Sequence, residues 1–275
     1  MDSYPRGALT FPVVDVGPRA GAAVVLLHGF PQDSWSWGPI SRRLADAGLR
    51  TLAPDQRGYA DTARPRSRRA YRLSELSLDV VALLDAAGLE RAHVVGHDWG
   101  GAVAWHLAAR HTDRIASATV LSTPHPAAMT WSLLRSRQAL MSGYMAAFQL
   151  PVLPERYLSA RMHGFYRSTG MPREAAERYA ERFADPGSLT GPLGWYRALP
   201  LTRTRVGRSR VPTTYLWGNQ DVALGRVAAE RTAHYVSADY RFVELPAGHW
   251  LLETCADEVA GEIIDRVKGS ETLTA

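Results

Sequence analysis

The chain has 275 residues, 46% hydrophobic and 21% charged, with a formal net charge of +5 and one cysteine. This balance excludes a disordered or fibrous chain and allows one α/β body with a sizeable core. Cys255 alone cannot form an internal disulfide, no apolar run approaches the roughly 20 residues that span a bilayer, and the start lacks an export signal, so a cytoplasmic protein with no membrane partner is expected.

In chain order, AAVVLLHG at 22–29 is a short apolar run ending at glycine, the pattern of a strand buried on both faces of a parallel sheet. A helix over about 35–47, the strand RTLAPD and an amphipathic helix carrying Leu76, Val80, Leu83 and Leu84 follow, the last closed by Gly88. AHVVGH at 92–97, GGAVAWHLAAR and IASATVLST read as strand, helix and strand. Such alternation predicts a mostly parallel sheet with right-handed crossovers. From 124 to 211 strand-like runs disappear, and the sequence becomes helical, rich in Trp, Tyr, Met and Arg, and broken by prolines. The alternation resumes with TTYLWGN, a helix near 225–236, YRFVELPA and a helix near 255–268. Residues 1–123 and 212–275 are therefore expected to form the core, with 124–211 inserted as a helical lid over the carboxyl ends of the strands, where ligands bind in such sheets.

Two arginine-rich stretches, ARPRSRRAYR at 63–72 and TRTRVGRSR at 202–210, sit in Pro- or Gly-containing connections outside any nucleic-acid module. Solvated loops and internal ion pairs are expected there, with no nucleic acid as partner. No histidine shows metal-ligand spacing, and GHDWGG lacks the lysine of a phosphate loop and the spacing of a dinucleotide site. No metal or cofactor is expected.

The pentad Gly96-His97-Asp98-Trp99-Gly100 has the form G-x-S-x-G with aspartate in place of serine, at a turn from strand to helix. Flanking glycines let the backbone pass close to its neighbours while the middle side chain is lifted clear. Asp98 would serve there as a helix cap or as a nucleophile. Three segments favour the second role. His28-Gly29-Phe30-Pro31 follows an apolar strand, and its turn can aim the Phe30 N–H at the same point as the Trp99 N–H, making an oxyanion hole. Asp221 in WGNQD and His249 in AGHW each follow a late strand, giving the order nucleophile, acid, histidine.

With these motifs the chain resembles the α/β-hydrolases of the epoxide hydrolase and haloalkane dehalogenase group, from about Leu9 to Val267. Further similar segments are APDQRGY at 53–59, LSTPHP at 121–126, YMAAFQLPVLPE at 144–155 and GPLGWYRALP at 191–200. The resemblance implies an α/β-hydrolase fold with eight strands and a cap. It implies a covalent ester on Asp98, hydrolysed by water that His249 activates while Asp221 orients the imidazole. Tyr144 and Tyr196 stand where epoxide hydrolases carry paired tyrosines that donate to the epoxide oxygen. That favours opening of a small apolar epoxide to a vicinal diol. Halide release by the same triad is the alternative, disfavoured by Phe30 where many haloalkane dehalogenases carry asparagine, and a non-catalytic ligand- or partner-binding homologue is the third reading. Gly194 and Gly143 depart from the family pattern, predicting a looser lid or wider pocket. Trp35, Trp131, Phe148 and Trp195 are candidate pocket residues, with Trp37 and Phe165 beside them; His97 and His28 are expected to pack or bond backbone. A homodimer is left open.

Overall fold

The computed structural model describes residues 1–202 and 205–272; Arg203 and Thr204, in the second arginine stretch, lie outside the described residues. Eight strands, β1 (Ser3–Arg6), β2 (Leu9–Val16), β3 (Ala23–Leu27), β4 (Arg50–Pro54), β5 (Ala92–His97), β6 (Ile115–Leu121), β7 (Thr213–Gly218) and β8 (Tyr240–Leu245), form one sheet in the order β1-β2-β4-β3-β5-β6-β7-β8. The two N-terminal strands pair antiparallel, β1 to β2 and β2 to β4, and all other pairs are parallel. Strands β3, β5 and β7 are buried at every residue, which is why their sequences are apolar without alternation.

Helices α1 (Gly38–Asp46), α2 (Leu73–Ala86) and α3 (Trp99–Arg110) connect the first parallel strands. Among the described residues, six helices lie between β6 and β7: α4 (Pro126–Leu133), α5 (Gln138–Met141), α6 (Tyr144–Ala147), α7 (Leu153–Ser168), α8 (Arg173–Arg182) and α9 (Pro186–Ala198). The chain ends through α10 (Arg226–Arg231), α11 (Leu251–Thr254) and α12 (Ala256–Thr272). Side chains alternate across the sheet. Val24, Leu26 and Val95 join Trp37, Ile40 and Leu44 around α1 and Val259, Ile263 and Val267 of α12 in one apolar cluster. Val25, Leu27 and Val94 join Leu76, Val80 and Leu83 of α2 and Val103 and Trp105 of α3 in the other, which continues into the inserted helices α7, α8 and α9.

Polar bonds tie the inserted helices to the sheet. Trp195 Nε1–H donates to the Arg57 carbonyl (2.8 Å), Arg182 to the Tyr59 carbonyl (2.6 Å), and Arg178 pairs with Asp33 (3.1 Å). Gly58, at φ +94°, and Gly191 touch backbone to backbone; a Cβ on Gly191 would lie 2.2 Å from the Gly58 oxygen. Within α9, Gly194 corrects the expectation of a looser lid, because a Cβ there would stand 2.9 Å from the ring of Tyr71, which fills the space. Gly143 differs, since a Cβ there would make only ordinary contact, 3.4 Å from the Leu140 oxygen. No helix among the described residues is long and apolar enough to cross a membrane.

Candidate active site

The sheet winds outward on both sides of β3 and β5, and the predicted residues gather just beyond the carboxyl ends of its strands. Phe30 follows β3, Asp98 follows β5, Asp221 follows β7 and His249 follows β8. The elbow at Asp98 is as tight as its glycines imply. A Cβ on Gly96 would fall 2.2 Å from the Gly100 oxygen, and one on Gly100 would fall 2.1 Å from the Leu27 oxygen. Asp98 itself is held at φ 49°, a conformation that costs a non-glycine residue about 1–3 kcal/mol. Its side chain makes no capping bond to α3, which removes the cap reading. Instead Oδ1 accepts from the Phe30 N–H at 2.8 Å, and the amide of Trp99, the first residue of α3, is the second main-chain N–H near the carboxyl.

Oδ2 of Asp98 lies 3.7 Å from His249 Nε2. On the other side of the imidazole, Nδ1 meets Asp221 Oδ2 at 2.8 Å, and Asp221 Oδ1 is fixed by the amides of Ala223 (2.7 Å) and Leu224 (3.0 Å). Burial lowers the basicity of His249, but Asp221, by charge and by hydrogen bond, and then Asp98 outweigh it and lift the pKa to about 9. Burial raises the pKa of Asp98, while His249 and the two amides act against that rise. The resting site thus favours an imidazolium between two carboxyl groups.

Above Asp98 stand the two predicted phenols, Tyr144 opening α6 and Tyr196 near the end of α9, with ring centroids 6.1 Å apart. Tyr196 packs edge-on to Phe30 (5.2 Å) and Trp99 (4.9 Å), and both phenols pack against Phe148. Tyr144 is 39% exposed as a residue, yet burial around its hydroxyl, followed by the charge of Asp98, pushes its pKa well up; Tyr196 is raised by burial, then by Tyr144 and Asp98. Both therefore remain neutral donors at ordinary pH.

A cavity of about 860 Å³ is lined by Asp98, Trp99, Tyr144, Tyr196 and His249, and the rest of its wall is largely apolar, including Met129, Leu133, Met141, Phe148, Leu158 and Phe165. A separate pocket of about 360 Å³, bounded by Arg69, Arg72, His106 and Pro200, contains none of these residues, so the chemistry belongs to the larger cavity. Phe148 and Phe165 line it, but the four candidate tryptophans do not. Trp35 is 42% exposed, with the Arg178 guanidinium 4.4 Å from its ring centroid. Trp131 packs with Arg135 and Arg231 at 4.9 and 4.0 Å. Trp195 is buried behind Trp99, its N–H spent on the Arg57 carbonyl, and Trp37 sits in the apolar cluster on the far face. Each ring found a better partner than the cavity: a guanidinium, a main-chain acceptor or the core.

His28 bonds backbone, with Nδ1 3.0 Å from the Gly29 oxygen and Nε2 accepting from the Gln56 N–H. His97 sits beneath His249, bonded to its main-chain oxygen at 2.9 Å. Four residues that sequence reasoning did not single out also touch the site. Thr123 Oγ1 donates to the Asp98 carbonyl (2.7 Å) and Ser122 Oγ to that of His249 (2.9 Å), while Gln32 and Glu253 extend the bonding behind His97. The position of Ser122 and Thr123 just past β6, a parallel strand, is the signal that would have found them.

A family model described as alpha/beta hydrolase fold matches residues 22–255. The chain is 36% identical over 254 residues to the AB hydrolase superfamily protein YfhM of Bacillus subtilis, covering 88% of this chain and 89% of that one. It is 33% identical to Epoxide hydrolase A of Mycobacterium tuberculosis with 94% of each chain covered, and 36% identical to human Epoxide hydrolase 4 with 91% and 74% covered. A crystal structure of Epoxide Hydrolase A from Mycobacterium thermoresistibile superposes with a TM-score of 0.84, at 28% identity over 97% of each chain. The fold and the arrangement of strand-end residues define the class as α/β-hydrolase. The chain belongs to that family and, within it, to the group that holds the proteins named epoxide hydrolases.

Proposed function

We propose that this chain is an epoxide hydrolase that converts an apolar epoxide to a vicinal diol through an ester on Asp98, with the inserted helices acting as its lid. One observation carries the reading: the Asp98 carboxyl has Oδ1 on the Phe30 amide and Oδ2 facing His249, in an apolar cavity that also holds two phenols. In the first step Oδ2 attacks an epoxide carbon, and the ring C–O bond breaks. The departing oxygen takes a proton from Tyr144 or Tyr196, leaving a hydroxyalkyl ester.

The second step follows from electrostatics. Alkylation removes the negative charge 3.7 Å from His249 Nε2, so the imidazole loses one of the groups that raised its pKa and gives up its proton to the phenolate that ring opening left. As a neutral base it then takes a proton from water, whose oxygen attacks the Asp98 carbonyl carbon. The oxyanion forms on Oδ1, where the Phe30 N–H already stands at 2.8 Å. Collapse breaks the ester C–O bond, the expelled alkoxide takes the proton of the new carboxyl to complete the diol, and His249 keeps the proton from water, which restores the resting imidazolium and carboxylate. Epoxide, water and these side chains supply every bond made and broken.

Turnover of a panel of uncharged epoxides, with chloroalkanes as comparison, tests the reading. Diol formation is expected, and Tyr144→Phe with Tyr196→Phe is expected to slow ring opening by about 10²-fold or more. Halide release from chloroalkanes without diol from any epoxide would instead make the chain a dehalogenase.

A further inference from the structure

Behind His249 lies a line of polar side chains that the chemistry above does not use. Glu253 Oε1 is 2.7 Å from Gln32 Nε2, Gln32 Oε1 is 2.8 Å from His97 Nδ1, and His97 Nε2 is 2.9 Å from the His249 main-chain oxygen. That oxygen also accepts from Ser122 Oγ and from the Leu251 N–H. A carbonyl only accepts, so His97 Nε2 carries a hydrogen. With the Gln32 amide in this orientation, its oxygen requires a second hydrogen on Nδ1, which makes His97 a cation and Glu253 an anion. Turned by half a revolution, the amide nitrogen donates to a bare Nδ1, and its oxygen meets Glu253 across a contact of two acceptors unless the carboxyl bears the hydrogen. Either way the line holds one proton more than a neutral imidazole and a carboxylate would.

Geometry puts that proton on Glu253. His97 is fully buried, with its ring 5.0 Å from that of His249, so burial and then the neighbouring imidazole hold its pKa well down. Glu253 Oε2 is buried with no hydrogen-bond partner, and Oε1 has Gln32 and, at a long 3.4 Å, the Tyr179 hydroxyl. A carboxylate with one stranded oxygen is costly, whereas a neutral acid is less so. The titratable groups around it are His97 and His249 from the sheet side, Tyr166 on α7 and Tyr179 on α8; Arg178 on α8 is taken up by Asp33. Burial accordingly raises Glu253 to about 7.

We propose that Glu253 is a positioning residue that works as a neutral acid: it donates to Gln32, Gln32 donates to His97, and His97 holds the His249 main chain so that the imidazole stays between Asp98 and Asp221. A carboxylate there would add a third anion near His249 and strengthen its hold on the proton it must release before the second step. The consequence for rate rests on the hydrolytic reading above, but the protonation state does not. Infrared difference spectra of the wild type against Glu253→Gln, taken without substrate at pH about 6 and about 9, read the carboxyl directly. A protonated-carboxyl band is expected in the wild type at the lower pH, weakening toward the higher. In single-turnover ester hydrolysis Glu253→Gln, which can still donate, is expected to stay within about threefold of wild type at pH about 6 and to lose an inflection near neutrality, while Glu253→Leu slows the same step about tenfold without changing KM. Absence of the band, or a Gln variant as slow as the Leu variant, overturns the proposal. Should the Leu variant not fold, the band and the Gln profile decide, and failure to turn over any epoxide would count against the proposed activity alone.

Discussion

Asp98 combines features that rarely coincide at one residue: a strained backbone at φ 49°, a carboxyl oxygen on the Phe30 main-chain amide and a basic imidazole 3.7 Å from the other oxygen. The strain is tolerated because Gly96 and Gly100 leave the turn no other path, and its effect is to aim the carboxyl into the cavity rather than along α3. If His249 serves only the second step, His249→Gln should still alkylate but fail to hydrolyse. Intact-mass measurement after mixing with a turned-over epoxide is expected to find the protein heavier by one substrate, with diol release slowed by about 10²–10⁴-fold. Unchanged steady-state turnover would remove His249 from the mechanism. Asp98, Asp221 and His249, to which the proposal gives the chemistry, were legible because each stands at a turn after a strand of the sheet, where the motif fixes its position. Pocket aromatics were not legible in the same way. Trp35, Trp131 and Trp195 were selected on residue type, but which way an aromatic ring faces depends on the cations and acceptors folding brings beside it, and for these three those were Arg178, Arg135 with Arg231, and the Arg57 carbonyl.

At the scale of elements, apolar runs gave the parallel strands and the change of pattern at 124 marked where sheet residues stop. Strands β1 and β2 went unread, although β2 alternates buried Phe11 and Val13 with exposed neighbours; a half-buried edge pair carries a weaker signal than a run buried on both faces. The helices of the insertion are held by a buried ion pair: Arg197 bonds Glu155 twice, at 2.6 and 2.9 Å, and also the carbonyls of Phe148 and Leu150. Gln149 adds a bond to the Tyr196 carbonyl, so the segment after α6 is strapped to α9 beside the two phenols. Packing between elements also predicts opposite outcomes for one kind of substitution. Gly100→Ala drives a methyl into the Leu27 carbonyl and is expected to cost about 3 kcal/mol or more. Gly164→Ala, on an exposed face of α7 with no atom within 4 Å, should gain about 0.5–1 kcal/mol. Urea denaturation of both variants checks the pair, and equal effects would refute the close approach of α3 to β3.

Across the whole molecule, acid stability should be governed by buried histidines. Burial holds His93, His106 and His125 near pKa 4, and lowers His28, His97 and His111 as well. In the unfolded chain each titrates near 6.5, so unfolding takes up protons once the pH falls below that value. Their contribution is fully present above 6.5 and is lost as pH falls toward 4. The raised acids Asp98, Glu253 and Glu262 act in the opposite sense but are fewer, and Asp15, held near 2 mainly by its hydrogen bond to Arg50, keeps its contribution until lower pH. Thermal melts should therefore show Tm falling between pH 6.5 and 4, and a flat profile would contradict the buried, neutral histidines. The account as a whole depends on Asp98 bonding to its substrate, and a single turnover in heavy-oxygen water, with enzyme in excess over epoxide, tests that most directly. The prediction is a diol that carries the ordinary oxygen of the enzyme, with the heavy isotope left in the peptide containing Asp98; heavy oxygen in the first-turnover diol and none in that peptide would mean that water attacks the epoxide directly.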